Sequence, residues 1–335
     1  MNEPGSRRSL LRMAVGVLIS MGALAVLIYV TDARQIRAAF RQISPRVLLL
    51  GVGLIVLSLF TRAYAWRVIL RERISLWQSF LIINAGYFVN TVLPFRLGEI
   101  SRAFLLMPSG LTFWEALPAV ALERILDVLF ALGLLFFGLP YALDLGRDVS
   151  FSYLLAGIAL VGLAVTYLLV KNRGRILGWL KNNRRIRPRL RDRLVVFLES
   201  VLASMQVLTN AGRLLRVLAG MALSWGIALV FQLVLLRTFI PEAEPGWAAF
   251  VLGAVAVGVS VPSSPGNIGL YEASITLALS ALGVDESLAF TYALTSHIIN
   301  LAITTGFGSF GLVREGVGLK DVWMFGLEQN GGGSL

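Results

Sequence analysis

The residues able to do chemistry stand in three groups, each set in or beside a long apolar run. The first follows Pro94 in the stretch Pro94-Phe95-Arg96-Leu97-Gly98-Glu99-Ile100-Ser101-Arg102. Arg96, Glu99 and Arg102 are spaced three apart, so on a helix they share a face and can pair. They either neutralise one another at a helix end or, with backbone amides exposed beside them, hold an anionic head group. The second group is Glu123, Arg124 and Asp127 at the start of a long apolar stretch. Glu123 and Asp127 are one helical turn apart, and Arg124 can pair with Asp127. They read as a satisfied buried ion network or as part of a binding site. The third group follows Pro265. Asn267, Tyr271 and Glu272 can contact a polar substrate, and Glu272 can instead cap a helix or pair with a first-half arginine. Further on, Ser296, Asn300 and Thr304 make one polar stripe, with His297 beside it as a structural hydrogen-bonder or a proton relay. Charged groups inside apolar spans are costly and are usually retained for a task.

Several chemistries are excluded. The chain has no cysteine, so it has no disulfide, thiolate metal site or cysteine nucleophile. A single histidine argues against a histidine metal cluster, and we expect no metal and no cofactor. No nucleophile elbow, phosphate-binding loop or dinucleotide fingerprint is present, so the residues point away from an enzyme. The 30 basic residues exceed the 19 acidic ones, giving a net charge of +11. The densest basic segment, Lys171 to Arg193, contains Asp192 as its one acid and few aromatics. That composition suits anionic lipid head groups rather than nucleic acid.

These groups must be positioned by helices in lipid. Hydrophobic residues make up 57% of the chain and charged ones only 15%, against about 25% charged in ordinary soluble domains. A span needs about 20 apolar residues to cross about 30 Å of hydrocarbon. Met13 to Val30, Val47 to Trp66, Ala116 to Leu143, Val149 to Val170 and Val217 to Leu236 meet that need, and a final apolar region runs from Ala273 to Val313. Gly283, Asp285 and Glu286 split the last region into a short helix and a long one. The basic segment 171–213 should be cytoplasmic, which places both termini inside and the loop Ile240 to Pro245 outside. Thr31 to Arg46, with four arginines, conflicts with that threading and suits an interfacial helix. Asn330 to Leu335 reads as a linker or tag remnant, leaving one membrane domain over 1–329.

Two stretches match in the order of their features: a unit over about 77–143 and another over about 247–313. Trp77-Gln78-Ser79-Phe80 leads through an apolar run to Pro94 and Gly98. Trp247-Ala248-Ala249-Phe250 leads likewise to Pro265, Gly266 and Gly269. Glu115-Ala116-Leu117 then parallels Glu286-Ser287-Leu288, and Glu123 to Asp127 parallels Ser296 to Asn300. Proline removes a backbone donor and breaks the helical ladder. Each proline-glycine corner therefore predicts a re-entrant helical hairpin rather than a continuous span, tolerable at depth only where it is buried in protein or lines a wet cavity. Three full spans lie between the hairpins, so the second unit is inverted. The expected fold is an all-α polytopic membrane protein of about six full spans plus two re-entrant hairpins in an inverted repeat. Such repeats with broken helices bind substrate at the repeat interface.

Three motifs carry a resemblance. Leu93 to Ala103 resembles the proline-arginine-leucine-glycine-glutamate motif of the lysylphosphatidylglycerol synthase transmembrane (flippase-like) family. Glu123-Arg124-Ile125-Leu126-Asp127 is similar to a second motif of that family, and Ser264 to Glu272 to a third. The likeness extends over about Arg8 to Arg314. His297 departs from it, since the family more usually has arginine there. The resemblance implies movement of a lipid across the bilayer. With no room here for the family's soluble aminoacyl-transferase domain, it implies a stand-alone member to which lysyl transfer does not carry over. The expected partners are membrane lipids, and the expected activity is a plasma-membrane flippase for an anionic or polyprenyl-linked lipid. Arg96, Arg102 and Arg124 would bind the head group, and Glu99, Glu123, Asp127 and Glu272 would hold those arginines or relay protons. A membrane-embedded enzyme using Glu99 or Asp127 as base, or a scaffold for a separate lipid-modifying enzyme, are the alternatives.

Overall fold

Helix boundaries follow from local chemistry. Ser44 opens α1 (Pro45–Ile69): its side chain accepts from the Val47 amide, and Pro45 occupies the first turn, where its missing N–H costs nothing. Ser75 caps α2 (Leu76–Val92) in the same way, through the Gln78 amide. Helix α2 stops at Leu93, which is extended at φ −104° and ψ 142°, as the residue before a proline must be. The chain resumes as α3 (Leu97–Leu105), makes a 3-10 turn at Met107–Ser109, and enters α4 (Phe113–Ala142). The basic segment contains α5 (Arg173–Asn182). Asn210 caps α6 (Ala211–Phe239). Then come α7 (Pro245–Gly258), a 3-10 turn at Pro265–Asn267, α8 (Leu270–Ala281) and α9 (Glu286–Arg314), the last capped by Asp285.

The computed structural model describes residues 43–93, 97–142, 171–182, 210–260 and 264–321, with single positions 41, 195 and 324. The expected spans Met13 to Val30 and Val149 to Val170, the helix-break proline Pro94 and the candidate Arg96 lie outside the described residues, as does the tail 330–335. Among the described residues the protein is all-helical. Four of its helices, α1, α4, α6 and α9, are long and apolar enough to cross a membrane.

Each corner proline lies between two described α-helices rather than within one. Helix α2 ends at Val92 and α3 begins at Leu97; α7 ends at Gly258 and α8 starts only at Leu270. Helices α2 and α3 run antiparallel. The Gln78 side-chain amide donates to Ser109 Oγ at 2.8 Å, joining the start of α2 to the turn after α3. At the other end, a Cβ on Gly98 would collide with the Gly86 carbonyl oxygen. The second corner turns on positive φ at Gly266 (65°), Asn267 (56°) and Gly269 (86°), a conformation glycine adopts without strain and asparagine tolerates.

Helix contacts fall into matched pairs. Helix α2 packs along α9, and α7 packs along α4; α3 meets α4 as α8 meets α9, and α1 packs against α6 between the two sets. Each cross-set seam is closed by glycine. A Cβ on Gly308 or Gly311 of α9 would strike the α2 backbone at Asn84 or Leu81, and one on Gly138 of α4 would strike α7 at Phe250. In lipid, where hydrocarbon is as apolar as leucine, such close backbone approach drives helix association. Leucines 49, 57, 223 and 277 remain exposed on the outside, as lipid-facing residues should be.

Candidate functional site

In the first half, charges from three helices converge. Arg102 on α3 is 1% exposed and meets Glu123 Oε2 on α4 at 2.8 Å. Its guanidinium also lies over the Tyr87 ring, 4.9 Å from the centroid, and near Trp66, a favourable place for a desolvated cation. Arg62, on α1, binds Asp127 at 2.6 and 2.8 Å and reaches Glu123 at 3.3 Å. Arg124 contacts the same two carboxylates only at 3.5 Å each. The two acids are thus held closely by Arg62 and Arg102, with Arg124 as the third, loosely held cation. Its Nε is buried with no hydrogen-bond partner.

In the second half a different pair occupies the corresponding place, between the short helix after the break and the long helix that follows. His297 Nδ1 on α9 is 2.6 Å from Glu272 Oε1 on α8. Its Nε2 is 3.0 Å from the Gly266 carbonyl inside the break. The other Glu272 oxygen accepts from the Gly269 amide at 2.7 Å and so caps α8. Tyr271 stacks on His297, with ring centroids 4.2 Å apart, and its hydroxyl meets Ser296 Oγ at 3.0 Å. Of the roles open to Glu272, capping is the one observed. Its ionic partner is His297 in its own half, not a first-half arginine, because the turn at Gly266 folds the carboxylate back toward α9.

A cavity of about 330 Å³ lies where the two breaks meet. Asn90, Thr91 and Glu99 line it from the first break; Gly266, Asn267 and Tyr271 line it from the second. Ser58, Tyr87, Arg124, Gln232, His297, Asn300 and Thr304 add to the polar wall, and Ile55, Phe231, Val255 and Leu301 are among the apolar residues facing them. A second cavity of about 690 Å³ shares Tyr87, Glu99 and Arg124 with it and extends past Arg62 and Asp127 to Val128, Leu132 and Val257. Arg124 and Glu99 thus stand at the junction of the two. Apolar walls with a few convergent polar groups are what ligand sites present. Among the described residues no cluster of three or more Asp, Glu or His side chains could hold a metal ion.

The structure therefore brings Glu99, Arg124, Asn267, Tyr271, His297 and Asn300 to one cavity and Asp127 to its neighbour. Arg102 and Glu123 are absent from both linings; they pair behind the wall, where Glu123 also receives Arg62 and Arg124. Glu99 lies close to Asn90, whose side chain also accepts from the Gly98 amide. Besides the lining residues Ser58, Tyr87, Asn90 and Thr91, two further polar contributors were not among the sequence candidates. Arg62 is the charge inside the expected span Val47 to Trp66, and an intramembrane arginine by itself calls for an acidic partner. Gln232 lies within the expected span Val217 to Leu236, and its carbonyl oxygen accepts from Tyr292 and Ser296. An uncharged amide in an apolar helix gives a weaker signal.

A curated relative, the "Glycosyltransferase AglD" of Haloferax volcanii, is 22% identical over 87% of this chain, and the chain spans about half, 52%, of that protein. A second, a "UPF0104 membrane protein" of Methanothermobacter thermautotrophicus, is 25% identical over 88% of this chain and 93% of the relative. No solved structure matches. The family described as "Lysylphosphatidylglycerol synthase TM region" matches residues 13–308, a stretch that contains both breaks, both buried pairs and the whole lining of the two cavities. The chain belongs to the lysylphosphatidylglycerol synthase transmembrane-region family.

Proposed function

We propose that the protein moves an amphipathic lipid with an anionic or polyprenyl-linked head between the leaflets of the plasma membrane, with Arg124 as the head-group anchor. The observation that carries this reading is the polar cavity between two broken helices, into which one loosely paired arginine reaches. An arginine whose carboxylates are already held by Arg62 and Arg102 has donors to give to a phosphate. The two helical hairpins enter from opposite leaflets in this reading, so the cavity can open to either side in turn. The acyl chains stay in lipid past Val128 and Leu132 while the head crosses the polar wall. Both termini are cytoplasmic.

Purified protein in liposomes made from its source-membrane lipids should speed exposure of the transported head group to an impermeant reagent. Arg124→Gln should slow that exposure about 10–100-fold, since hydrogen bonds to a charged group contribute about 1.5–3 kcal/mol. Arg124→Lys should retain an intermediate rate. If no lipid moves faster than in empty vesicles, the reading fails. A second reading, a membrane-embedded enzyme acting on a lipid-linked substrate, is favoured by the name of the Haloferax relative, although this chain matches only about half of that protein. There Glu99 or Asp127, which line the same cavity, would serve as base. Product formed from a radiolabelled donor by the purified chain would select it.

A further inference from the structure

We infer that His297 and Glu272 form a proton-binding site that clasps the second helix break, and that its proton is coupled to lipid movement through the cavity. The proton site stands on geometry alone; the coupling rests on the transport reading.

The hydrogen bonds dictate the proton count. A backbone carbonyl can only accept, so the contact of 3.0 Å to Gly266 O requires the hydrogen on His297 Nε2. The contact of 2.6 Å between Nδ1 and Glu272 Oε1 then needs a proton between them. Without one, the Nδ1 lone pair would face a carboxylate lone pair. The pair is therefore either imidazolium with carboxylate or neutral imidazole with carboxylic acid. In both states it is electrically neutral and holds one proton that can leave.

When that proton passes to water in the cavity, the pair becomes a buried single negative charge. Both residues are 4% exposed, and an uncompensated charge at such burial is strongly unfavourable. Glu272 is anchored by the Gly269 amide and His297 by the Gly266 carbonyl, both in the corner itself. The segment that must yield is therefore the break that lines the cavity.

The matching clasp in the first half cannot respond in this way. There the cation paired with the long-helix carboxylate is Arg102, and a guanidinium stays protonated throughout the accessible pH range. One hairpin is pinned permanently, and the other is pinned only while a proton is present. The groups around His297 are few. Tyr271 and Glu272 face it from α8; Tyr87, Glu99 and Arg124 share its cavity from α2, α3 and α4; α1, α6 and α7 bring only uncharged residues to that lining.

His297 is the only histidine in the chain, so protein labelled with nitrogen-15 histidine gives one imidazole in solid-state NMR. At neutral pH we expect both ring nitrogens protonated, or Nε2 alone protonated together with a carboxylic-acid infrared band that Glu272→Gln removes. A single protonated nitrogen with no such band would overturn the site, whether or not any lipid moves. The chain also lacks cysteine, so Ser264→Cys reports on the break without background. Its maleimide labelling in detergent, taken relative to Glu242→Cys, should rise severalfold at the pH where NMR sees the proton leave. The rise should vanish in a His297→Gln background. A ratio that ignores the titration would overturn the link between proton and break. A rise without lipid movement in liposomes would keep the clasp and sink the transport reading.

Discussion

Replacing Glu123 with glutamine should destabilise the protein by about 3–5 kcal/mol, the cost of removing one partner from a buried ion pair. Glu123 is fully buried and is the carboxylate that Arg102 meets. It also receives Arg62 and Arg124. Its loss leaves Arg102, 1% exposed, as an uncompensated cation between α3 and α4. Total stabilities are only about 5–15 kcal/mol, so the change should be plain in thermal unfolding of the detergent-solubilised protein. Asp127→Asn should cost less, because Arg62 keeps its contact with Glu123 and Asp127 is partly exposed. The double variant Arg102→Met/Glu123→Leu should recover part of the loss, since an apolar pair of similar volume replaces two buried charges while Arg62 and Arg124 keep only Asp127. An unfolding midpoint for Glu123→Gln equal to that of the parent would contradict this account of the cluster.

The glycine seams should be nearly as sensitive. At Gly308 a Cβ would run into the Asn84 carbonyl and the Phe88 side chain; at Gly138 it would meet the Phe250 backbone and the Gly246 carbonyl. The obstacles are mainly backbone, which cannot rotate away, so Gly308→Leu must push α9 from α2 and Gly138→Leu must push α4 from α7. Overpacking costs about 1–3 kcal/mol or more. Because the two seams are matched, the two variants should lose similar amounts. Gly133→Leu on the same helix as Gly138, where a Cβ meets nothing, should be nearly neutral in the same unfolding assay. Equal effects at Gly133 and Gly138 would show that the seam is not closed by glycine.

Much of this arrangement is legible in the sequence because its signals are local. Pro265 with Gly266 and Gly269 announces a broken helix, and the break is there. The apolar runs at Val47, Ala116 and Val217 announce long helices, and α1, α4 and α6 cover them. The Ser296, Asn300 and Thr304 stripe is local too, as helical periodicity puts these residues on one face; Asn300 and Thr304 line the cavity. What the sequence conceals is pairing at a distance. Arg124 and Asp127 are neighbours on one helix, yet the close partner of Asp127 is Arg62, back on α1. Arg102 shares a face with Glu99, yet its carboxylate is Glu123. Helix spacing says which residues can meet along one rod, but crossing partners depend on how α1 and α3 pack against α4, which emerges only in the folded chain. The division of labour among the arginines follows from that packing. Arg102 is sealed behind the wall and Arg124 stands in it, although both look alike as charges beside apolar runs.

The proposed lipid path depends on two helical hairpins that reach one cavity from opposite leaflets. Sidedness tests this most directly, and the absence of native cysteine makes the test clean. Met107→Cys marks the mouth of the first hairpin and Glu242→Cys the mouth of the second; both positions are exposed. Applied to intact cells, a membrane-impermeant thiol reagent should label Glu242→Cys and spare Met107→Cys until the membrane is opened. Labelling of both, or of neither, in intact cells would place the two mouths on one side and contradict the proposed path for the lipid.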